Sequence, residues 1–299
     1  MSLLLTGAYG QLGKEIIRQA PGAGISVIAT DIDTVDITDA DAVAGLMDLH
    51  RPRICVNAAA YTQVDRAETQ PDAAFAVNRD GPLILARHCR RVGIPLIHIS
   101  TDFVFDGTLG RPYEETDTPC PVSVYGGSKA AGDAAVQETL PEHIILRTAW
   151  LYGTDGPSFV HTMLRLAGEK ERLAVVDDQV GSPTAAENLA RAVITLAGRH
   201  LAGRSSMPWG IFNMTDGGAV SWCEFARTII ASAARLGMVK NIPVDPISTA
   251  EFGAPARRPA YSVLNCRRIT EVYGIGQEPW ETALERTLSR IAANGAAPP

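Results

Sequence analysis

LLLTGAYGQLG, residues 3–13, runs three leucines into a loop whose glycines, Gly7, Gly10 and Gly13, fall at intervals of three. The apolar run is short and unbroken, as in a strand covered on both faces, and Gln11 opens a helix-length segment. Glycines at these places let the chain turn tightly and let backbone come close to a pyrophosphate. The start of the helix adds free N–H donors and partial positive charge. The spacing by itself would also serve a plain turn. Its position between a strand and a helix points to dinucleotide binding, with Gly7, Gly10, Gln11, Leu12 and Gly13 as the contact residues.

The same rhythm continues outward from this unit. Short apolar runs at 26–29, 54–56, 94–100 and 143–150 alternate with helix-length segments such as 11–20 and 39–50, each bounded by Gly, Pro or Asp. Repeated βα units of this kind predict an α/β fold, a Rossmann-type doubly wound parallel sheet. Residues 1–150 read as the dinucleotide-binding domain. Beyond 150 the chain is richer in Gly and Pro, with helices expected at 186–197 and 221–236. Residues 151–299 therefore read mostly as a smaller substrate-binding lobe, with some segments packing back on the sheet.

An acid is expected at the end of the second strand, where a ribose hydroxyl is accepted. Asp31 stands there, 24 residues after Gly7, with Asp33 and Asp36 as alternatives. No arginine is near it, and a carboxylate repels a 2′-phosphate, so this position argues for NADH over NADPH. In VDITD (35–39), Ile37 is placed to wall the adenine, and Thr38 or Asp39 to cap the next helix. VNAAA (56–60) closes the third strand with Ala58, Ala59 and Ala60, small enough to let backbone pass close to the same ligand.

The net charge of −6, with no basic cluster larger than the pairs Arg90-Arg91 and Arg257-Arg258, argues against a nucleic-acid partner. Five scattered cysteines without CxxC spacing give neither a disulfide framework nor a zinc site. The first strand starts at the initiating methionine and no apolar stretch approaches the ~20 residues of a membrane span. The expectation is a cytoplasmic protein with no membrane partner. None of the six histidines shows a paired-ligand spacing, and His98, inside an apolar strand, reads as a core residue.

STDFVFDG (100–107) begins at the carboxyl end of a strand, the edge where open parallel sheets bind ligands, and so brings Ser100, Thr101 and Asp102 to the expected site. Downstream, VYGGSKAAGD (124–133) sets Tyr125 and Lys129 four residues apart, on one face of a helix. An ammonium beside a phenol stabilises the phenolate, and the expectation is a tyrosine pKa below its usual ~10. Tyr125 then reads as the general acid of a carbonyl reduction.

TGxxGQLG, NAAAYTxVDxAE, STDxVFDG, YGxSK, RTxWxYG, DQxGxPT and RPxxSxLN occur in this order from residue 3 to about 290. Together they resemble the extended short-chain dehydrogenase/reductases, in the dTDP-4-dehydrorhamnose reductase branch. The resemblance implies NADPH or NADH as cofactor and a dTDP-sugar as substrate. It implies that Thr101 binds the keto oxygen, with Ser100 as the rival hydroxyl, that Tyr125 donates the proton, and that Lys129 also binds the nicotinamide ribose. Thr62, Val64 and Asp65 resemble a loop over the sugar; Thr62 and Asp65 also read as a helix start. Trp150 resembles the aromatic wall of the deoxysugar, or is core. Arg258 resembles a diphosphate ligand, or is a solvated loop arginine.

Two other functions share the scaffold: a different sugar-nucleotide reductase or epimerase, and a regulatory subunit like that of methionine adenosyltransferase. Some members of the family dimerise around a magnesium ion held by three glutamates from each subunit. Glu15 and Glu187 match two of these, but Arg290 takes the place of the third. The expectation is no bound metal, and a monomer or a weak homodimer without a metal bridge.

Overall fold

Leu3, Leu4 and Leu5 are all fully buried, because successive residues of their strand face opposite sides of a sheet covered on both. In the computed structural model, which describes residues 2–203 and 207–295, this strand is β1 (Ser2–Thr6). It is joined by β2 (Ser26–Thr30), β3 (Ile54–Asn57), β4 (Leu96–Thr101), β5 (His143–Thr148) and β6 (Gly210–Asn213). The six lie in the order β6-β5-β4-β3-β1-β2, and every pairing is parallel.

On one face, Leu3 and Leu5 pack with Leu12 and Ile16 of α1 (Gln11–Gln19) and with Leu189, Val193 and Leu196 of the helix Ala186–Leu201. On the other, Leu4 packs with Val43 and Met47 of α2 (Ala40–His50), Leu85 and Cys89 of α3 (Gly81–Val92), and Val136 of α4 (Val124–Thr139). The sheet is thus doubly wound. β1 is the switch point, with β2 on one side and β3 on the other, and a crevice opens there beyond the carboxyl ends of the strands.

β6 comes from the second half of the chain, in register with β5 through Ile211 opposite Ile145. The sequence reading assigned no strand beyond residue 150, since a four-residue run carries little periodicity. The rest of this half builds a second core of Tyr152, Val160, Phe225, Trp280 and Leu284. It is made by the helices Phe159–Glu169, Trp222–Arg235 and Trp280–Ala293 and the strand pair Leu173–Val176 with Val244–Ile247. All five cysteines are free. No helix among the described residues is long and apolar enough to cross a membrane.

Candidate active site

A cleft of about 880 Å³ follows the carboxyl ends of β1 to β5. Its floor at β1 is the glycine loop. Gly7 has φ +69°, and a β-carbon there would stand 2.5 Å from Ala59 N; one on Gly13 would stand 2.3 Å from the Gly7 carbonyl oxygen. The first glycine is required by a left-handed turn against the end of β3, the third by the close seating of α1. No side chain caps α1, so its first N–H groups remain available to an anion. Gly10, Gln11, Leu12, Ala58, Ala59 and Ala60 line the same floor.

At the β2 end, Asp31 Oδ2 accepts from Tyr9 N and Oδ1 from Ile32 N, both at 2.8 Å. The carboxylate is thereby fixed at the cleft edge by backbone donors. Asp36 and Ile37 also line this end, and the exposed Asp36 carboxylate is bound by its neighbour Thr38, whose N and Oγ1 both donate to it at 2.8 Å. Asp39 is the residue that caps α2, accepting from Asp41 N and Ala42 N. The charged residues lining the cleft are Asp31, Asp36, Asp102 and Lys129. The only cation among them lies at β4, three strands away from Asp31.

Thr101 ends β4. Its Oγ1 donates to Asp102 Oδ1 at 3.1 Å, accepts from Phe103 N at 3.2 Å, and lies beside the Tyr125 hydroxyl. Ser100, on the opposite face of the strand, lies near Asp133 behind Lys129 instead. Tyr125 sits in the first turn of α4, whose N-terminus Ser123 caps by accepting from Gly126 N, and the Phe103 ring meets it edge-on at 5.5 Å.

The expected acidification of Tyr125 is not found. Burial pushes the phenol up to about 12, with Asp102 and Asp133 adding to the rise and the neighbouring Thr101 hydroxyl opposing it. Lys129 does not counter this because its charge is gone before the phenol titrates; its Nζ donates to the Ile99 carbonyl oxygen at 2.6 Å, with His98 Nε2 at 3.4 Å. Burial lowers Lys129 itself to about 8, against the pull of Asp133. Burial likewise lifts Asp102 to about 6 despite its bonds from Ser262 and Thr101.

Four buried polar atoms of cleft-lining residues have no partner within the protein: Gln11 Oε1, Ser100 Oγ, Asp102 Oδ2 and Thr148 Oγ1. Buried polar groups are nearly always paired, so this set is suited to a ligand rich in hydroxyls and amides. The glycine cradle fits a dinucleotide, and the Thr101–Tyr125 pair offers two hydroxyls to a carbonyl oxygen.

Thr62, Val64 and Trp150 line the sugar side. Thr62 caps nothing: the helix Val64–Ala67 starts after Gln63 with no side-chain cap. Trp150 adopts φ +45°, a conformation that costs a bulky residue of order ~1 kcal/mol and collects at functional sites. Its indole stacks on Trp222, centroids 3.4 Å apart and planes within 8°. Asp65 and Arg258 are the two expected ligands that do not line the cleft. Arg258 Nη2 donates to Asp65 Oδ2 at 2.9 Å, and Asp65 Oδ1 accepts from Ala256 N. Each satisfies the other across the loop that carries Arg258.

The sequence reading missed Trp222 and Phe159, which also line the cleft, and Asp133. Nothing in the spacing of the two aromatics relates them to Trp150. Asp133, however, stands four residues after Lys129 and is reachable by the rule that paired Lys129 with Tyr125. At the far end of α1, Arg290 donates to Glu15 Oε1 at 2.9 Å and to Glu187 Oε2 at 3.2 Å. A guanidinium thus lies between the two glutamates.

A family profile described as the RmlD substrate binding domain matches residues 1–293. The chain belongs to the RmlD family. Among its relatives, the dTDP-4-dehydrorhamnose reductase of Sinorhizobium fredii is 40% identical over 295 residues, covering 99% of both chains. The crystal structure of a dTDP-4-dehydrorhamnose reductase from Clostridium acetobutylicum superposes with a TM-score of 0.90 at 39% identity, over 97% of this chain and 99% of that one. The Bacillus anthracis dTDP-4-dehydrorhamnose reductase, solved in complex with NADP, gives 0.88 at 38% identity over the same shares.

Proposed function

We propose that this member of the RmlD family reduces the 4-keto group of dTDP-4-dehydro-L-rhamnose to dTDP-L-rhamnose, with NADPH or NADH as reductant. The observation that carries the reading is the meeting of Thr101, Tyr125 and Lys129 at one end of a cleft whose other end is the glycine loop. When bound there, the reduced nicotinamide supplies the hydride.

The residues divide the remaining work. Gly7, Gly10, Gly13 and the start of α1 hold the pyrophosphate, Ala58 to Ala60 pass behind it, and Asp31 faces the adenine ribose. The Thr101 hydroxyl, given to Asp102 in the free protein, orients the keto oxygen. Tyr125 is protonated at neutral pH, as an ordinary phenol would be, and its raised pKa holds the proton more firmly. It donates that proton to the oxygen as the carbon accepts the hydride, so the C=O π pair becomes the O–H bond of the product and the phenol is left as phenolate. Lys129, one turn away, binds the nicotinamide ribose and offsets that charge. Asp102 Oδ2, buried and unpartnered, accepts from a sugar hydroxyl, with Thr62, Val64 and Trp150 around the ring. Most of residues 151–299 serves as the substrate lobe. We place the protein in the cytoplasm as a monomer or weak homodimer without a metal bridge.

The test mixes purified protein with dTDP-4-dehydro-L-rhamnose and follows the reduced-nicotinamide absorbance with NADH and NADPH in parallel. Stoichiometric oxidation supports the reading. Tight cofactor binding without oxidation overturns it, and turnover that returns the cofactor unchanged assigns an epimerase instead.

A further inference from the structure

Behind the phenol lie four ionisable side chains, each 2% exposed or less: Lys129, Asp133, Arg147 and His98. The reduction described above uses only Lys129. Tyr125, Lys129 and Asp133 recur every four residues along α4 and so share one face. His98 comes from β4 and Arg147 from β5. Asp133 Oδ2 is 3.2 Å from Arg147 Nε, while Oδ1 has no hydrogen-bond partner and lies 3.9 Å from His98 Nε2. The remaining titratable groups nearby are His143 on β5, which flanks His98, and Asp102, on the Tyr125 side.

The tautomer of His98 follows from its other nitrogen. Asn57 Oδ1 accepts from Ala59 N at 3.1 Å and from Thr6 Oγ1 at 2.7 Å, so it is the Asn57 amide NH₂ that meets His98 Nδ1, at 3.1 Å. Nδ1 is therefore an acceptor, and the proton of the neutral ring sits on Nε2. That N–H faces Lys129 Nζ at 3.4 Å and, on the other side, Asp133 Oδ1. An ammonium has no lone pair with which to receive it; a neutral amine has one.

We infer that Asp133 and His98 are positioning residues for Lys129: the carboxylate favours its ammonium form, the imidazole N–H adds to burial in favouring its amine form, and Arg147 anchors the carboxylate. The two forms are then close enough in free energy for Lys129 to titrate near the working pH. Since the ammonium is the form that offsets the Tyr125 phenolate, turnover falls as pH rises through this titration. The activity readout rests on the reductase reading; the hydrogen-bond chain that fixes His98 does not.

The experiment measures kcat against pH for the native enzyme, Asp133→Asn and His98→Phe, with thermal melts as a check on folding. In the native enzyme the alkaline limb is expected near 8, where Lys129 titrates. Asp133→Asn leaves two buried cations without a counter-charge, and the limb moves down by about one pH unit or more. His98→Phe removes the donor to the amine, and the limb moves up. His98→Gln, which offers an amide N–H in its place, restores the native limb. A merely structural role lowers turnover in both variants without opposed shifts, and limbs that stay put or move in the same direction overturn the assignment.

A second measurement needs no turnover. The chain has four lysines, Lys14, Lys129, Lys170 and Lys240, so ¹³C-labelled lysine gives four titration curves, and Lys129→Met identifies one of them. A native midpoint near 8 that moves down in Asp133→Asn and up in His98→Phe supports the assignment, and one at the ordinary ~10.4 of lysine, or one that neither variant moves, overturns it. If the native protein oxidises neither cofactor yet the Lys129 midpoint moves in opposite directions in the two variants, the reductase reading fails and the positioning assignment stands.

Discussion

Replacing Asp31 by Asn tests which cofactor the β2 edge selects. The carboxylate is held in place by Tyr9 N and Ile32 N, and the nearest lining cation, Lys129, lies three strands away. A ribose 2′-phosphate brings a charge of about −1.5 to −2. At a separation of ~5 Å, each unit of that charge meets the carboxylate with about 3 kcal/mol at an effective dielectric of 20, and with about 0.8 kcal/mol in bulk water. Asp31 is half-buried and salt screens the edge further, so a net penalty of about 2 kcal/mol against NADPH is reasonable. That corresponds to roughly a 30-fold preference for NADH. Asn keeps one acceptor oxygen for a backbone N–H and removes the charge, and the ratio of kcat/KM for NADPH to that for NADH should rise about 10- to 100-fold. Steady-state kinetics with both cofactors at fixed ionic strength measures it. A ratio that changes by less than about 3-fold would refute the reasoning, whichever cofactor the native enzyme prefers. The NADP complex of the Bacillus anthracis relative makes the ratio, rather than simple acceptance of either cofactor, the informative quantity.

Tyr125→Phe should lower kcat by about 10²- to 10⁴-fold and leave cofactor affinity, read by fluorescence titration, nearly unchanged; an active variant removes the assigned proton donor. Gly13→Ala forces a methyl to 2.3 Å from the Gly7 oxygen, and should cost about 1–3 kcal/mol in a denaturant melt, with a clear loss of dinucleotide binding. Asp102, which burial lifts to about 6, gains a proton as pH falls through that value, which turns Oδ2 from a charged acceptor into a hydroxyl and weakens its bond from a sugar hydroxyl. KM for the sugar nucleotide should therefore climb below pH 6 in the native enzyme and stay flat, though higher throughout, in Asp102→Asn.

What could be read from the sequence, and what could not, divides by the range of the interaction. The glycine loop, Asp31 at the end of β2, the β4 hydroxyls and the Tyr125–Lys129 pair are each fixed by the period of one strand, one turn or one helix, and period is what a sequence displays. β6 joins the sheet beside β5 from 62 or more residues away in sequence, Trp222 stacks on Trp150 across 72 residues, and Arg258 closes on Asp65 across 193. No local pattern encodes any of these pairings. The tyrosine is the instructive case, because its position was legible and its chemistry was not. A four-residue spacing places an ammonium one turn from a phenol, but it does not say where a flexible four-carbon stem will aim its charge. Here Nζ donates to the Ile99 carbonyl oxygen and its dry surroundings take its charge away near 8, before the equally buried phenol titrates at about 12. The same spacing rule carried one turn further reaches Asp133. A helix face that presents a phenol, an ammonium and a carboxylate in a row has to place all three against something, and in this fold that is the carboxyl end of β4 and the guanidinium of β5. The acidity of Tyr125 is therefore a property of the α4–β4–β5 contact as a whole, which sequence spacing along α4 cannot supply.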